Sequence, residues 1–276
     1  MVRTLAAGAV HVRPESLEAT LALAQKHGFR GLDFDIRGAA ADISRSQELF
    51  TQYGVAPSVF GLPVEWRKDD ATWEAGLAEL PAQAKAAQAL GCTRTATWVL
   101  PGSDERPTEE NVEFHVRRFG PIAQVLADHG ISLGLEYIGP KTLRDRFKYP
   151  FAYTQDGMLE VAAKIGPNVG LLVDCWHWYT SGGSVEDLRR LRSSDVVYVH
   201  VNDAPAGVAV DEQVDNVRRL PGETGVIDIA GFLGALRAIG YDGPAAAEPF
   251  DDTLKDLGSD EERLERVRAS MERVGL

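Results

Sequence analysis

Cysteine is scarce: Cys92 and Cys175 are the only two, far apart and outside any CxxC spacing. Neither a disulfide framework nor a thiolate zinc site is indicated. Basic residues are also in the minority, 29 Lys and Arg against 41 Asp and Glu, and the net charge of −12 is spread along the chain without an acidic tail. That balance argues against nucleic acid or an anionic membrane as a partner and favours a small polar molecule, neutral or carried by a cation. Long apolar runs are missing too. Nothing approaches the roughly 20 residues of a membrane span, and the apolar part of "MVRTLAAGAVHVR" is too short for a signal peptide. No linker, low-complexity tract or shift of composition divides the sequence. These absences predict a cytoplasmic protein in which residues 1–276 form one domain.

What is present is a repeated unit. At 44% hydrophobic and 25% charged, the chain has the material for a large core. An amphipathic stretch ends at a Gly-containing turn and a short apolar or β-branched run follows, the pattern of helix, C-cap and strand. Eight such runs occur: "LAAGAVHV" from Leu5, "GLDFDIRG" from Gly31, "VAPSVFG" from Val55, "TRTATWVLPG" from Thr93, "ISLGLEYIG" from Ile131, "VGLLVDCW" from Val169, "VVYVHVND" from Val196 and "PAAAEPF" from Pro244. Helical patterns such as "SLEATLALAQKHG" from Ser16 lie between them, this one opening on a serine suited to N-capping. Pro81 and Pro121 fall inside two helical windows and predict, in each, a short helix followed by a longer one starting at the proline. Eight strand-helix units in this length predict an α/β fold, a single (β/α)8 TIM barrel, with a doubly wound sheet as the alternative.

A barrel gathers its chemistry at the carboxyl ends of its strands. Strand five ends with Glu136, strand six with Asp174 and His177, strand seven with His200 and Asp203, and strand eight with Glu248. Each closes an apolar run, where an isolated charge is costly, so a partner or a metal is expected. Two Glu, one Asp and one His form a hard, oxygen-rich donor set that suits Mn2+, Mg2+ or Co2+. The stretch "RRLPGETGVID" after strand seven is long enough to reach back over the mouth and bring Arg218, the one cation evident there. A phosphorylated substrate would want several cations or a nest of amides, so an uncharged sugar fits better.

From Gly134 to Phe250 the segments "LGLEYIGP", "VGLLVDCWHWY", "VYVHVND", "RRLPGETGVID" and "AAAEPF" follow one another. In content and order they resemble the xylose isomerase-like barrels, and within them the sugar phosphate isomerase/epimerase group that includes ketose 3-epimerases and inosose dehydratases. The first half of the chain matches only as a barrel pattern. The resemblance implies one divalent ion, Mn2+ foremost, held by Glu136, Asp174, His200 and Glu248, with His177 and Arg218 on substrate oxygens; Arg219 is adjacent and competes for the arginine's role. It implies a metal-dependent carbohydrate isomerase or epimerase. Removing a proton beside a carbonyl needs a base, and Glu136 and Glu248 on opposite sides of a sugar would exchange that proton through a metal-stabilised enediolate. Expulsion of a β-hydroxyl from the same enediolate would instead make a lyase or dehydratase of a keto-sugar, keto-inositol or keto-glycoside. A barrel that binds sugar or metal without turnover is the non-enzymatic alternative.

Other residues carry weaker signals. His11 closes strand one and is a candidate to line the pocket, while Trp98 and Trp176, at strand ends, are candidates for an apolar wall beside a sugar. Asp203 in "VNDAP" reads as a turn. His27 and His129 read as helix-end residues, His115 as surface or packing, and Cys175 as packing because no histidine partner is evident. The loop "GPKTLRDRFKYPFAYT" offers Lys141, Arg144, Lys148 and Tyr149 for substrate selection, although solvation of a surface loop accounts for its charges. A nuclease of the endonuclease four type shares the barrel, but strands three and four end without the histidines that a three-zinc cluster needs. The oligomeric state is open, and a homo-oligomer is compatible with the sequence.

Overall fold

Seven of the eight apolar runs contain a strand, the first strand lies ahead of its run and reaches only its first residue, Leu5, and the eight strands pair in parallel and in sequence order to close a barrel. They are β1 (Val2–Leu5), β2 (Gly31–Phe34), β3 (Ala56–Gly61), β4 (Arg94–Val99), β5 (Ser132–Tyr137), β6 (Val169–Asp174), β7 (Val196–Val201) and β8 (Pro244–Ala247). The computed structural model describes residues 1–276. Around the strands lie α1 (Leu17–Lys26), α2 (Ile43–Tyr53), α3 (Asp70–Leu90), α4 (Thr108–Asp128), α5 (Gln155–Ile165), α6 (Val185–Arg189), α7 (Ile229–Ala238) and α8 (Asp260–Arg273). This is a single (β/α)8 TIM barrel. Local chemistry marks the helix ends: Ser16, Asp42, Asp69, Thr154 and Ser259 each accept a backbone N–H of the first turn. Gly54 and Gly91 close α2 and α3 at φ 62° and 79°, a conformation that glycine adopts without strain. No helix is long and apolar enough to cross a membrane.

Two expectations are corrected. The first strand lies earlier than "LAAGAVHV": it ends at Leu5, and Ala7–Val10 form a 3-10 turn that leaves His11 left-handed at φ 58°, well past the strand end. The small residues of that run are compatible with a tight turn as well as with a strand, and apolar content alone does not separate the two. The prolines do not divide their helices either. Pro81 and Pro121 sit inside continuous α3 and α4. An interior proline forfeits one backbone bond, about 3 kcal/mol, but Leu80, Ala84 and Ala87 in α3 and Phe119, Ile122 and Leu126 in α4 are fully buried on either side of it, and their packing holds the helix together.

The barrel interior positions the site. Val59, Ala96, Leu172, Tyr198 and Ala246 form a buried cluster of their own inside the strands. Strand periodicity then turns Trp98, Asp174, His200 and Glu248, each two residues further on, toward the same side one layer higher. Between β6 and β7 the register shifts by one residue, with Leu171 opposite Val196 but Leu172 opposite Tyr198. The extra residue, Val197, brings His200 level with Asp174; without it the imidazole would face the other way.

Candidate metal centre

Glu136, Asp174, His200 and Glu248 come from β5, β6, β7 and the residue after β8, four neighbouring strands of the barrel. One potential ligand atom from each lies within 4.8 Å of all the others. His200 Nδ1 is 3.1 Å from Glu248 Oε2 and 3.6 Å from Glu136 Oε1. Three buried atoms here, Glu136 Oε1 and both ring nitrogens of His200, have no hydrogen-bond partner. Orphaned polar atoms at such depth are rare in folded proteins. Burial holds the Glu136 carboxyl above its usual range, and although burial pulls the His200 imidazole down, the Glu248 and Glu136 carboxylates overcome this and raise it well above its ordinary value. A divalent cation would satisfy the orphaned atoms and replace the proton on His200, so the residues present fit such an ion.

The surroundings aim these groups. Asp174 is also the N-cap of the short helix Cys175–Thr180: its Oδ1 accepts the Trp176 N–H at 2.7 Å and an Asn202 side-chain N–H at 3.0 Å, which leaves Oδ2 facing the cluster. The helix begins without a linker and so carries His177 back over the strand ends. His177 Nδ1 accepts the Gly139 N–H at 3.1 Å. Burial, followed by the Arg218 charge, lowers its pKa to about 3, so the ring is neutral and its proton sits on Nε2. Arg218 Nη2 lies 3.2 Å from that nitrogen. Two donors thus stand side by side without an acceptor between them. Arg218 itself is 1% exposed; its Nη1 donates to Asp174 Oδ2 at 2.8 Å and Glu248 Oε2 at 3.1 Å, and its Nη2 to Asp215 at 3.0 Å.

The strand-seven loop reaches the mouth as its length predicted. Arg218 faces the cluster, whereas Arg219 turns back to the Arg218 carbonyl at 2.7 Å. Asp203 is not the turn residue that "VNDAP" suggests: it forms an isolated antiparallel bridge with Arg219, because its buried carboxylate accepts amides from Ala204, Thr224, Gly225 and Ile227 and so draws the later part of the loop back against it. Trp176 is 0% exposed and lies against Arg218, 5.4 Å from the guanidinium, so it forms no open wall. Trp98 is 41% exposed and covered by Arg67 at 4.0 Å. His11 lies 3.6 Å from Asp252, and the cavity of about 400 Å3 that His200 and Glu248 share is lined by Ala6 to Ala9 rather than by it. His115 is buried and stacked on Phe151 at 4.6 Å, and the Cys175 thiol donates to the Asn202 carbonyl. Lys141 pairs with Asp145, Arg144 lies over Tyr153, Lys148 over Tyr149, and Tyr149 pairs with Ser103 in a two-residue antiparallel sheet.

Several site residues escaped the sequence reading. Asn202 lies two residues beyond His200, so strand periodicity alone places it on the same side. Asp33, the penultimate residue of β2, lines the same cavity as His200 and Glu248, its carboxylate 3.5 Å from the Tyr198 hydroxyl, and burial pushes its pKa up to about 7. Its run "GLDFDIRG" holds two acids, Asp33 and Asp35, and the sequence does not say which of them faces the barrel. Phe250, left-handed at φ 42° and 5.0 Å from Arg218, had no local signal.

A parallel eight-stranded barrel with carboxylates and an imidazole converging at its carboxyl end defines the class: a TIM barrel with a candidate divalent-metal centre at the mouth. Residues 21–274 match the family of xylose isomerase-like TIM barrels, and the chain belongs to that family. Among its relatives are inosose isomerases. That of Halalkalibacterium halodurans is 24% identical over 199 residues, 70% of this chain and 66% of the relative, and that of Bacillus velezensis is 21% identical over 271 residues, 94% and 92%. The structure of a xylose isomerase domain protein from Alicyclobacillus acidocaldarius is similar at a TM-score of 0.87 and 32% identity, over 99% of this chain and 96% of that one. A 3-dehydroshikimate dehydratase of Pseudomonas aeruginosa is 36% identical over 90 residues, 32% of this chain and 14% of the relative.

Proposed function

We propose that the protein is a metal-dependent isomerase or epimerase of a small polyhydroxylated carbonyl compound, a carbohydrate or cyclitol, acting in the cytoplasm. The observation that carries this reading is the quartet of Glu136, Asp174, His200 and Glu248, whose ligand atoms converge within 4.8 Å while buried acceptors remain unsatisfied. The ion is Mn2+, with Mg2+ or Co2+ as substitutes. When bound, it supplies positive charge that acidifies the carbon beside a carbonyl. Glu136 and Glu248 stand at the two ends of the four-strand arc, and this chemistry requires each to hold the ion through one carboxylate oxygen and to use the other for a proton. One removes the proton from carbon and the other returns a proton, which inverts the centre if the two act on opposite faces. The paired donors of His177 Nε2 and Arg218 Nη2 hold a substrate oxygen between them, which orients the carbon for transfer. The family's inosose isomerases support an isomerase on a cyclic polyol.

The dehydratase relative favours a second reading, in which loss of the proton is followed by departure of a β-hydroxyl from the same site. Proton NMR in D2O, with Mn2+-loaded protein and a panel of ketoses, aldoses and keto-inositols, tests both. Deuterium entering beside the carbonyl and absent with Glu248→Gln is the expected result, and an epimer, isomer or alkene in the spectrum names the reaction. Absence of exchange on every compound, with stoichiometric metal bound, would leave a barrel that binds without turnover.

A further inference from the structure

We propose that Arg67, laid on the face of Trp98 beside the candidate metal centre, receives an oxyanion of the substrate, so that the compound this site takes is an acid, a carboxylate or a phosphate ester. The inference rests on the proposed function and adds its substrate class. Trp98 on β4 is in register with Glu136 on β5, so the two stand on adjacent strands about 5 Å apart. The Arg67 guanidinium lies 4.0 Å above the Trp98 ring and 4.8 Å from Trp66. Its only hydrogen bonds leave from Nη1, at 3.4 Å to Thr97 Oγ1 and 3.3 Å to the Trp98 carbonyl. Nε and Nη2 are uncommitted, and a guanidinium held over an indole keeps that edge for two parallel bonds to an oxyanion.

The surrounding charges make this arginine distinctive. In a chain of net charge −12 it has no carboxylate within 4.0 Å, while its neighbours are paired, Arg106 with Glu105 and Arg118 with Asp70. It opens onto a cleft of about 310 Å3 between the loops after β3 and β4. Of the acids there, Asp104 is taken by the Lys148 amide at 3.0 Å and Glu105 by Arg106. The expectation of an uncharged sugar rested on Arg218 being the one cation at the mouth; the fold sets a second, Arg67, over Trp98, the strand neighbour of Glu136.

Calorimetric titration of Mn2+-loaded protein with matched pairs tests the inference: D-gluconate against D-glucitol for a carboxylate, and D-fructose 6-phosphate against D-fructose for a phosphate. The expected result is at least tenfold tighter binding of one acid over its neutral partner, with that preference lost in Arg67→Gln while Mn2+ affinity and melting temperature stay unchanged. The pair that discriminates identifies the anion. Equal binding within both pairs, no binding of any of the four, or a preference that survives Arg67→Gln each overturns it. Because binding needs no turnover, isotope exchange without an acid preference refutes this inference alone, whereas an Arg67-dependent preference without exchange on any compound refutes only the proton-transfer reading.

Discussion

Replacing Arg218 by methionine separates its two duties, as counter-charge and as substrate ligand. In metal-free protein Arg218 is the fixed cation against Asp174, Glu248 and Asp215, with bonds of 2.8, 3.1 and 3.0 Å and almost no exposure. Removing one member of a buried ion network leaves its carboxylates uncompensated, at about 3–5 kcal/mol. For 276 residues, unfolding entropy near the melting point is about 0.6 kcal/mol per degree, so the metal-free variant should melt about 5–9 °C below the parent. Mn2+ should then act unequally. In the parent the ion enters beside a cation that already holds Asp174 Oδ2 and Glu248 Oε2; in the variant it meets those oxygens unopposed. The gain in melting temperature on adding Mn2+ should therefore be larger for Arg218→Met than for the parent, read by scanning calorimetry after chelator treatment and again at saturating metal. A variant that melts with the parent without metal, or that gains no more from Mn2+, would refute the view that arginine and ion share these carboxylates.

Three further outcomes are expected. Asn202→Ala removes the side-chain donor to Asp174 Oδ1 and should weaken Mn2+ binding about 10- to 100-fold, as outer-shell changes do, measured by titration against a competing chelator. Asp203→Ala deletes the acceptor of four backbone amides that tie down the loop carrying Arg218; unfolding in urea should show a loss of about 3 kcal/mol or more, and Asp203→Asn a smaller one. His115 is buried, bonded to the Asn111 carbonyl, and burial lowers its pKa to about 4 from 6.5. Between those values the unfolded chain binds the proton and the fold does not, so stability falls as pH drops from 6.5 to 4, by about 3 kcal/mol for this residue. His115→Phe should flatten the dependence of melting temperature on pH in that interval, and an unchanged slope would assign the acid sensitivity elsewhere.

Much of the architecture was legible because barrels repeat. Alternation of amphipathic helix, glycine and apolar run identified eight strands, and Glu136, Asp174, His200 and Glu248 stood out because each ends such a run. The first run misled because "LAAGAVHV" is small and apolar enough for a strand or a tight turn, and the choice depends on how Val2 to Thr4 pair with β8. Pro81 and Pro121 misled because local rules count the lost backbone bond, while burial of their neighbours is a property of the assembled barrel. Asp33 carries a weaker signal than Asp174, because Phe34 continues its strand and Asp35 offers a second acid beside it.

The sequence by itself determined the parallel barrel and the residue types at its strand ends, because both follow from periodicity and composition. Convergence was decided by tertiary structure: the register shift that sets His200 level with Asp174, the loop that buries Arg218 among carboxylates, and the approach of Arg67 to Trp98 from 31 residues earlier in the chain. Those depend on which side of a strand a residue faces once its neighbours are paired. A single residue of register reverses that side, and no local signal encodes it.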